Sequence, residues 1–444
     1  MQKVLVIGYV WPEPASSAAG YRMLSLLETF LAQGWQVTFV SPAQPTEHQI
    51  DLASLGVSAQ AVRLNCASFD TFVTEMQPDI VLFDRFMMEE QFGWRVEQCC
   101  PNALRVLDTE DLHSLRDARH RALKHHLLSG NDATKCVPVQ TEAELFASMT
   151  GEELTQREVA SILRCDLTLM ISKVEIELLT QRFGVPASLL HYCPFMIDGP
   201  LTVATAGGAL PAWQDRAHFI CIGNFRHAPN WDAVLWLRQT LWPMIRASLP
   251  QAELHIYGAY PPPKATQLHD PRQGFLVKGW AENVDEVMLQ ARICLAPLRF
   301  GAGIKGKLAD AMRCGTPSVT TSIGQEGMHD NLPWPGACAD DAVQFAQQAV
   351  HYYQHAADWQ QAQQQGYVLL KQLFDKSQQQ ALLLDRLASL REQLSDHRRN
   401  NFIGAMLRHH HHKSTRYMAQ WIEAKNKLRE VQESGTAANP SSTR

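Results

Sequence analysis

The sequence predicts an α/β protein with two Rossmann-like domains that face each other across a cleft, followed by a helical C-terminal extension. Short apolar segments alternate with stretches of helical periodicity throughout 1–197, and the same alternation starts again at 217. The intervening segment is rich in glycine and proline and lacks apolar periodicity. We therefore expect domains at 1–197 and 217–375, joined by a linker at 198–216.

The elements of the first domain begin with a buried strand at 4–7, because Val-Leu-Val-Ile is a continuous apolar run. A helix is expected at 21–33, since Met23 and Leu27 recur on one face and Gly34 stands where a helix C-cap is favoured. Further apolar runs predict strands at 37–40, 61–64, 80–83, 104–107, 167–171 and 189–192, with helices between most of them.

The second domain and the extension follow the same criteria. Strands are predicted at 219–222, 253–257, 275–277, 293–296 and 318–321, and helices at 231–247, 284–290 and 305–314. From about 342 the chain is helical in composition and rich in Gln, without further strand signals. We expect 376–434 to form a basic helical extension and the small, polar segment 435–444 to be a disordered tail.

Composition excludes several classes of function. The 444 residues include 40 Lys and Arg against 45 Asp and Glu, a net charge of −5, so no overall positive field favours nucleic acid. None of the ten cysteines forms a Cys-x-x-Cys pair, which is typical of buried, reduced thiols in a cytoplasmic protein. No stretch approaches 18 consecutive apolar residues, so no membrane span is expected.

The most informative motif lies where the strand at 293–296 leads into a loop and a helix. Gly301 and Gly303 let the backbone approach a ligand closely, and the helix that starts beside Lys305 offers free N–H groups to an anion. Arg299 and Lys307 add positive charge at the same mouth. We interpret the segment as a diphosphate cradle; the alternative is a tight turn that merely needs small residues.

A second cluster follows the strand at 104–107, at the edge of the sheet where open α/β folds place their ligands. Asp111 and His113 belong to the run Asp-Thr-Glu-Asp-Leu-His. Carboxylates beside a histidine hold it in one tautomer and let it act as a donor or a base, so both residues are catalytic candidates. The alternative is that Asp108 or Asp111 caps a helix and His113 lies on the helix surface.

A family resemblance now appears. The segment 296–319 resembles the nucleotide-sugar signature of GT-B glycosyltransferases of family 4 (group 1), in the branch with a Gly-Ala-Gly-x-Lys loop followed by an acidic-Ala-Met helix. The segment 222–233 resembles the opening of the C-terminal domain in the same branch. The resemblance covers 1–375 and implies a GT-B fold and a retaining transferase that uses a nucleotide-diphosphate sugar without a bound metal.

The resemblance also implies roles for individual residues. Asp310 falls where the family has a glutamate that binds the ribose hydroxyls, whereas Ala302 stands where the family's other glutamate lies. Gly223 would lie beside the sugar diphosphate, Arg226 matches a basic position near the phosphates, and Gly20 belongs to a small-residue pair that lets a helix N-terminus approach the donor or the acceptor. A histidine at a strand end contacts the transferred sugar in related enzymes, and His113 is the match.

The function expected from these features is glycosyl transfer, with the nucleotide-diphosphate sugar as donor substrate, no bound cofactor, and a glycan or lipid-linked acceptor. Two alternatives stay open. A non-catalytic scaffold is suggested by Asp310 and Ala302, and a sugar-nucleotide epimerase would use the same fold without an acceptor surface.

The basic extension carries an apolar stripe, with positive residues interspersed along 398–431. A basic helix with Trp at its apolar edge binds membrane interfaces, which would place the protein at the cytoplasmic membrane face. Docking on the first domain, pairing with a second subunit and disorder are the alternatives. The stripe consists of Met418, Trp421, Ile422, Leu428 and Val431.

Overall fold

The first domain is a seven-stranded parallel sheet covered by helices on both faces. The computed structural model describes residues 1–129, 140–202 and 210–437. The sheet order is β3-β2-β1-β4-β5-β6-β7. The strands are all parallel, and the order in which they are added to the sheet reverses between β1 and β4. The strands are β1 (Lys3–Ile7), β2 (Gln36–Ser41), β3 (Ser58–Ala61), β4 (Ile80–Asp84), β5 (Leu104–Asp108), β6 (Leu167–Met170) and β7 (Leu190–Tyr192).

In the described part of this domain, seven α-helices connect the strands. The first begins after Ser17, whose side chain accepts a hydrogen bond from the Gly20 N–H at 3.0 Å, and it ends before Gly34, which has a φ of +69°. The helices are α1 (Ala18–Ala32), α2 (Ser68–Met76), α3 (Phe86–Cys99), α4 (His113–Leu128), α5 (Glu142–Thr150), α6 (Glu153–Arg164) and α7 (Lys173–Gln181).

The second domain contains a six-stranded parallel sheet of order β10-β9-β8-β11-β12-β13, which reverses between β8 and β11. Its strands are β8 (Ala217–Ile222), β9 (Leu254–Tyr257), β10 (Phe275–Gly279), β11 (Ala291–Ala296), β12 (Ser318–Thr320) and β13 (Gly336–Cys338). Its helices are α8 (Ala228–Trp236), α9 (Trp242–Ser248), α10 (Pro263–Thr266), α11 (Val284–Gln290), α12 (Gly306–Arg313), α13 (Ser322–Gln325), α14 (Ala342–Gln354) and α15 (Ala356–Leu373).

The C-terminal extension consists of α16 (Lys376–Glu392), α17 (Leu394–Asn400) and α18 (Phe402–Ala437), and it returns to the first domain. Leu383, Leu387 and Leu390 of α16 are buried in the same apolar cluster as β1 and α1. The Arg391 guanidinium pairs with Asp79 at 2.7 Å. Helix α16 and the residue that precedes its end therefore pack on the first domain.

Several boundaries differ from the sequence prediction. β3 lies at Ser58–Ala61 instead of 61–64, because this edge strand is exposed on both faces and has no apolar run. β13 was not predicted, since Gly336 and its short length conceal it. The helix expected at 231–247 is interrupted by a π-helical turn (Leu237–Leu241) just before Pro243, which lacks the N–H for a regular helical bond.

The linker and tail predictions fall partly on residues that the structure does not describe, namely 203–209 and 438–444. Helix α18 continues to Ala437, inside the segment predicted to be disordered. Within the described ranges, no helix combines the length and the apolar run needed to cross a bilayer.

Candidate active site

The glycine loop, residues 301–305, connects β11 to α12 at the switch point of the second sheet. Gly303 has a φ of +63°, and a Cβ atom there would lie 2.9 Å from Asp111 Cβ. Only glycine fits this backbone and this contact. A Cβ atom on Gly301 would make ordinary contacts, so Gly301 contributes its carbonyl rather than its lack of a side chain. The loop thus lies directly against the Asp111 segment of the other domain.

Lys305 lies beneath this loop, immediately before the first turn of α12. Its ammonium donates hydrogen bonds to the Gly303 carbonyl at 2.6 Å and the Ala302 carbonyl at 3.3 Å. Burial lowers its pKa to about 8, and Glu326 opposes that shift. The ammonium charge of Lys305 therefore lies at a helix N-terminus. The charge and the helix end each favour the binding of an anion.

Lys307 is the second cation beside this helix end. Its ammonium donates to Asn230 Oδ1 at 2.7 Å, and burial lowers its pKa. A Cβ atom on Gly223 would lie 2.8 Å from the Lys307 Nζ and 2.6 Å from the Asn230 Nδ2. Gly223 is therefore the residue that leaves room for this lysine at the end of β8.

The two predicted arginines are engaged elsewhere. The Arg299 guanidinium forms a bidentate ion pair with Asp232 at 2.6 and 2.9 Å and is almost fully buried. The Arg226 guanidinium lies 3.6 Å from the centre of the Tyr260 ring. A phosphate contact by either arginine would require these contacts to rearrange, so their donor-binding roles stay predictions.

Asp310 projects from the second turn of α12, and its side chain is 38% exposed. Loss of surrounding water in the cleft raises its pKa to about 6; Arg313 opposes the shift and Asp285 adds to it. An accessible carboxylate on this helix is placed to accept hydrogen bonds from hydroxyl groups.

Asp111 and His113 line the facing edge of the first sheet, after β5. Asp111 is ion-paired with Arg116, and its Oδ1 lies 3.7 Å from the His113 Nε2. Burial would raise the pKa of Asp111, but Arg116, His113 and His227 hold it below its usual range. Burial lowers the pKa of His113 to about 4 despite Asp111, so the imidazole is neutral at pH 7.

The start of α4 is fixed by a buried carboxyl and not by Asp108 or Asp111, the cap that was considered as the alternative. The backbone N–H groups of His113 and Ser114 donate to Glu158 at 2.9 and 3.0 Å. Burial raises the pKa of Glu158 to about 7, although these hydrogen bonds oppose the shift. His113 is therefore held in place by a helix N-terminus whose donors are satisfied.

Two side chains of the first domain bind the glycine loop, one at Gly301 and the other at Gly303. The Arg119 guanidinium donates to the Gly301 carbonyl at 2.8 Å and binds both carboxylate oxygens of Glu326 at 2.8 and 2.7 Å. Glu175 Oε1 accepts from the Gly303 N–H at 2.7 Å and from the Leu112 N–H at 3.2 Å. We call Arg119, Glu175 and Glu326 the loop clamp.

Glu175 is fully buried, and its Oε2 has no hydrogen-bond partner among the described residues. Burial and the neighbouring Asp111 raise its pKa to about 8, against the hydrogen bonds from Leu112 and Gly303. None of the three residues of the loop clamp was predicted from the sequence. A usable signal existed for Glu175, which follows β6 at the same sheet edge as Asp111.

Gly20 lies in the first turn of α1, whose N-terminus packs close to the N-terminus of α12. A Cβ atom on Gly20 would lie 2.4 Å from the Glu13 backbone, so glycine allows α1 to pack closely on the loop before it. Across the cleft, a Cβ atom on Gly306 would lie 2.7 Å from Ala18 Cβ. The N-termini of α1 and α12 therefore converge, and the role of Gly20 at the donor or the acceptor stays a prediction.

Two doubly wound parallel sheets, with their carboxyl edges and candidate residues facing one cleft, define the GT-B class of fold. Residues 216–355 match the family model described as glycosyl transferases group 1. The second domain therefore carries the group 1 glycosyltransferase domain, which confirms the family identified from the sequence; the Gly-Ala-Gly-x-Lys branch stays a prediction.

Solved structures share the architecture over nearly the whole chain. Sucrose-phosphate synthase from Thermosynechococcus elongatus is 16% identical, with a TM-score of 0.60 over 89% of this chain and 100% of that one. Anabaena HepE in complex with UDP and glucose is 13% identical, with a TM-score of 0.61 over 88% and 100% of the two chains. WaaG, a glycosyltransferase involved in lipopolysaccharide biosynthesis, is 12% identical, with a TM-score of 0.56 over 86% and 99%.

A curated relative is an uncharacterized 44.6 kDa protein in the cps region of Klebsiella pneumoniae. It is 24% identical over 214 residues, which are 47% of this chain and 52% of the relative. The match thus spans about half the length of that protein.

Proposed function

We propose that this protein is a glycosyltransferase that moves a sugar from a nucleotide-diphosphate sugar to a glycan, lipid-linked or other acceptor. The observation that carries the proposal is the contact between the glycine loop, with Lys305 at the N-terminus of α12, and the Asp111–His113 cluster of the facing domain. The glycine loop then meets Asp111 in the cleft, and His113 lies beside Asp111. UDP and glucose in HepE support a uridine nucleotide as the donor to test first.

The donor diphosphate would lie at the glycine loop. Lys305, Lys307 and the free N–H groups of α12 would stabilise the charge that develops on the leaving diphosphate. Asp310 would accept hydrogen bonds from the ribose hydroxyls. Gly223 would keep the floor of the site open beside Lys307, and rearranged Arg226 and Arg299 would add charge nearby.

His113 would contact the transferred sugar. A neutral imidazole has one N–H donor and one acceptor nitrogen, and Asp111, 3.7 Å away, favours a tautomer that donates toward it. We further propose a retaining, metal-independent reaction in which the acceptor attacks the same face that the diphosphate leaves. The departing phosphate oxygen would then take the acceptor proton, so the protein would need no separate nucleophile.

A non-catalytic scaffold is the second candidate, because Ala302 supplies no carboxylate and packs into the apolar core of the first domain. Thermal unfolding with UDP or GDP distinguishes the two. A nucleotide at 100 times its Kd adds ~2.7 kcal/mol to the free energy of unfolding. Stabilisation and turnover of a nucleotide sugar support the enzyme, whereas no response to either nucleotide supports the scaffold.

Lys305→Ala tests the donor site directly. Loss of a charge-assisted hydrogen bond is expected to weaken UDP binding by ~1.5–3 kcal/mol in calorimetric titration. Lys371→Ala, which removes an exposed lysine from α15, is the matched control and should bind normally. An unchanged affinity in Lys305→Ala would refute the assignment of the diphosphate site.

A further inference from the structure

Helix α18 docks on the first domain along one face. The Asn401 amide, just before the helix, donates to the Leu163 carbonyl at 2.7 Å. The Arg408 guanidinium donates to the Arg164 carbonyl at 3.1 Å and pairs with Glu97 at 3.1 Å. Farther along, Ala419 is buried. These contacts fix the orientation of the helix, so its opposite face has a defined direction.

That opposite face carries large apolar side chains that are about half exposed or more. At 100° per residue they fall within a band about 160° wide, centred opposite the docked face. They are 46–74% exposed and form two patches, at 402–406 and at 417–428, which together span ~40 Å at 1.5 Å per residue. We call the two patches together the α18 stripe; it consists of Phe402, Ile403, Met406, Tyr417, Met418, Trp421 and Leu428.

The stripe differs from the one expected from the sequence. Ile422 is half-buried on the docked side, and the side chain of Val431 lies outside the described residues. Arg398, at the start of the expected stretch, is committed to Asp166 at 2.7 Å. The exposed apolar surface therefore begins at Phe402, and it is longer than the sequence pattern indicated.

Positive charges flank the stripe. Lys413 and Lys425 lie on opposite sides, each about 60° from its midline, and both are exposed. Arg416 and Arg429 lie farther around the helix, also exposed. Between 402 and 431 the chain has six Lys or Arg and two Glu, an excess of positive charge in a protein whose net charge is −5. The surface that this pattern complements is apolar beneath an anionic layer.

We propose that the α18 stripe binds the surface of an anionic lipid bilayer. Apolar side chains on a docked helix enter the interface between headgroups and acyl chains, Trp421 and Tyr417 lie at headgroup level, and the flanking lysines contact anionic headgroups. A straight stripe of this length fits a plane better than a pocket. A second copy of this face would bring the same excess of positive charge, which opposes self-association.

The test is co-sedimentation of the full chain with vesicles of phosphatidylcholine alone and of phosphatidylcholine mixed with phosphatidylglycerol. We expect binding to the mixed vesicles and little to the neutral ones. Met418→Glu/Trp421→Glu should lower the partition coefficient at least about tenfold. The matched control, Val343→Glu/Val368→Glu, makes the same change at two exposed valines of α14 and α15 and should bind normally.

Charge reversal separates the electrostatic contribution from the apolar one. Lys413→Glu/Lys425→Glu should lower binding to anionic vesicles about tenfold or more, because each basic residue near the surface contributes ~1 kcal/mol. Lys278→Glu/Lys371→Glu is its control, since both lysines are exposed on other elements. Melting temperatures close to that of the unaltered chain would show that all four variants are folded.

Three results would overturn the proposal: no sedimentation with either vesicle, equal sedimentation with both, or a stripe-dependent dimer in light scattering without vesicle binding. The last result would assign the stripe to a second copy. None of these measurements depends on turnover. A negative result for membrane binding would therefore leave the proposed transferase activity untouched, and the reverse also holds.

Discussion

The imidazole of His113 lies 3.7 Å from a carboxylate and still stays neutral, because burial outweighs that attraction and lowers its pKa to about 4. A neutral histidine both donates and accepts hydrogen bonds, whereas a charged one only donates. Its position is fixed by the α4 N-terminus on Glu158, so the ring is presented to the cleft without its own backbone donor being left unsatisfied.

His113→Ala is expected to lower kcat by ~10²-fold, with little effect on stability, if the ring positions the transferred sugar. His113→Gln keeps a neutral donor and should retain more activity than the alanine variant. Because the pKa is about 4, rates measured between pH 6 and 8 should show no titration of this residue. Steady-state kinetics with the preferred nucleotide sugar provide the measurement, and normal turnover in His113→Ala would place the residue outside the reaction.

Glu175→Gln tests the buried carboxyl of the loop clamp. The carboxyl has an ordinary pKa of 4.5 and a folded-state pKa of about 8. Between these values the folded protein holds a proton that the unfolded chain releases, so Glu175 makes stability fall as pH rises from 4.5 to 8, and the effect is constant above 8. The glutamine variant lacks this dependence and should gain on the order of 3–5 kcal/mol relative to the wild type across that window.

Denaturant unfolding of both proteins at pH 5, 6.5 and 8 is the measurement, with those pH values chosen to lie inside the window. Glu177→Gln, an exposed position on the same helix, should keep the wild-type pH dependence. Parallel stability curves for wild type and Glu175→Gln would show that the carboxyl is ionised in the folded protein.

At the scale of elements, the docking of α18 depends on one glycine. A Cβ atom on Gly404 would lie 2.1 Å from the Leu163 carbonyl oxygen, so Gly404→Ala should push the helix away from α6 and destabilise the protein by ~1–3 kcal/mol. Gly366→Ala on α15 is the matched change, because a Cβ atom there meets its neighbours at 3.4 Å or more. Helix propensity predicts a gain of ~0.5–1 kcal/mol at that site.

Thermal unfolding of the two alanine variants gives the comparison. Equal stabilities would mean that α18 does not need its close approach to α6.

The central strands were predictable because they are buried on both faces and read as uninterrupted apolar runs, as in β1, β4 and β11. The edges were not. β3 is exposed on both faces and β13 has three residues, so neither carries an apolar pattern. The π-helical turn before Pro243 was also out of reach, since the apolar periodicity continues through it.

The motif residues of the site were predictable because each is local: a glycine loop after one strand and a charged turn after another. Their partners were not, since the clamp contacts join residues far apart in the chain. Gly303 and Glu175 are 128 positions apart, and Arg119 and Glu326 are 207 positions apart. These pairs come together only because the carboxyl edge of the first sheet packs against that of the second.

At the scale of the whole molecule, the Arg119–Glu326 ion pair couples the two domains. Both partners are largely buried and joined by two hydrogen bonds, so a double-mutant cycle with alanine should give a coupling energy of ~1.5–3 kcal/mol in unfolding free energy. Lys173–Asp330 is the control pair, because it also joins the two domains at 2.6 Å but is exposed. Its coupling should not exceed ~1 kcal/mol.

If the Arg119–Glu326 cycle gives no more coupling than the exposed pair, the clamp does not hold the domains together in solution.

The loop clamp has a consequence for how this protein can be recombined with its relatives. The backbone of the glycine loop belongs to the second domain, but the side chains that bind it at Gly301 and Gly303, Arg119 and Glu175, belong to the first. A chimera that exchanges the second domain at the linker would combine the glycine loop of the relative with Arg119 and Glu175 of this chain. We therefore expect that a working exchange of the second domain must carry α4 and α7 with it, or use a relative with the same two contacts to the loop.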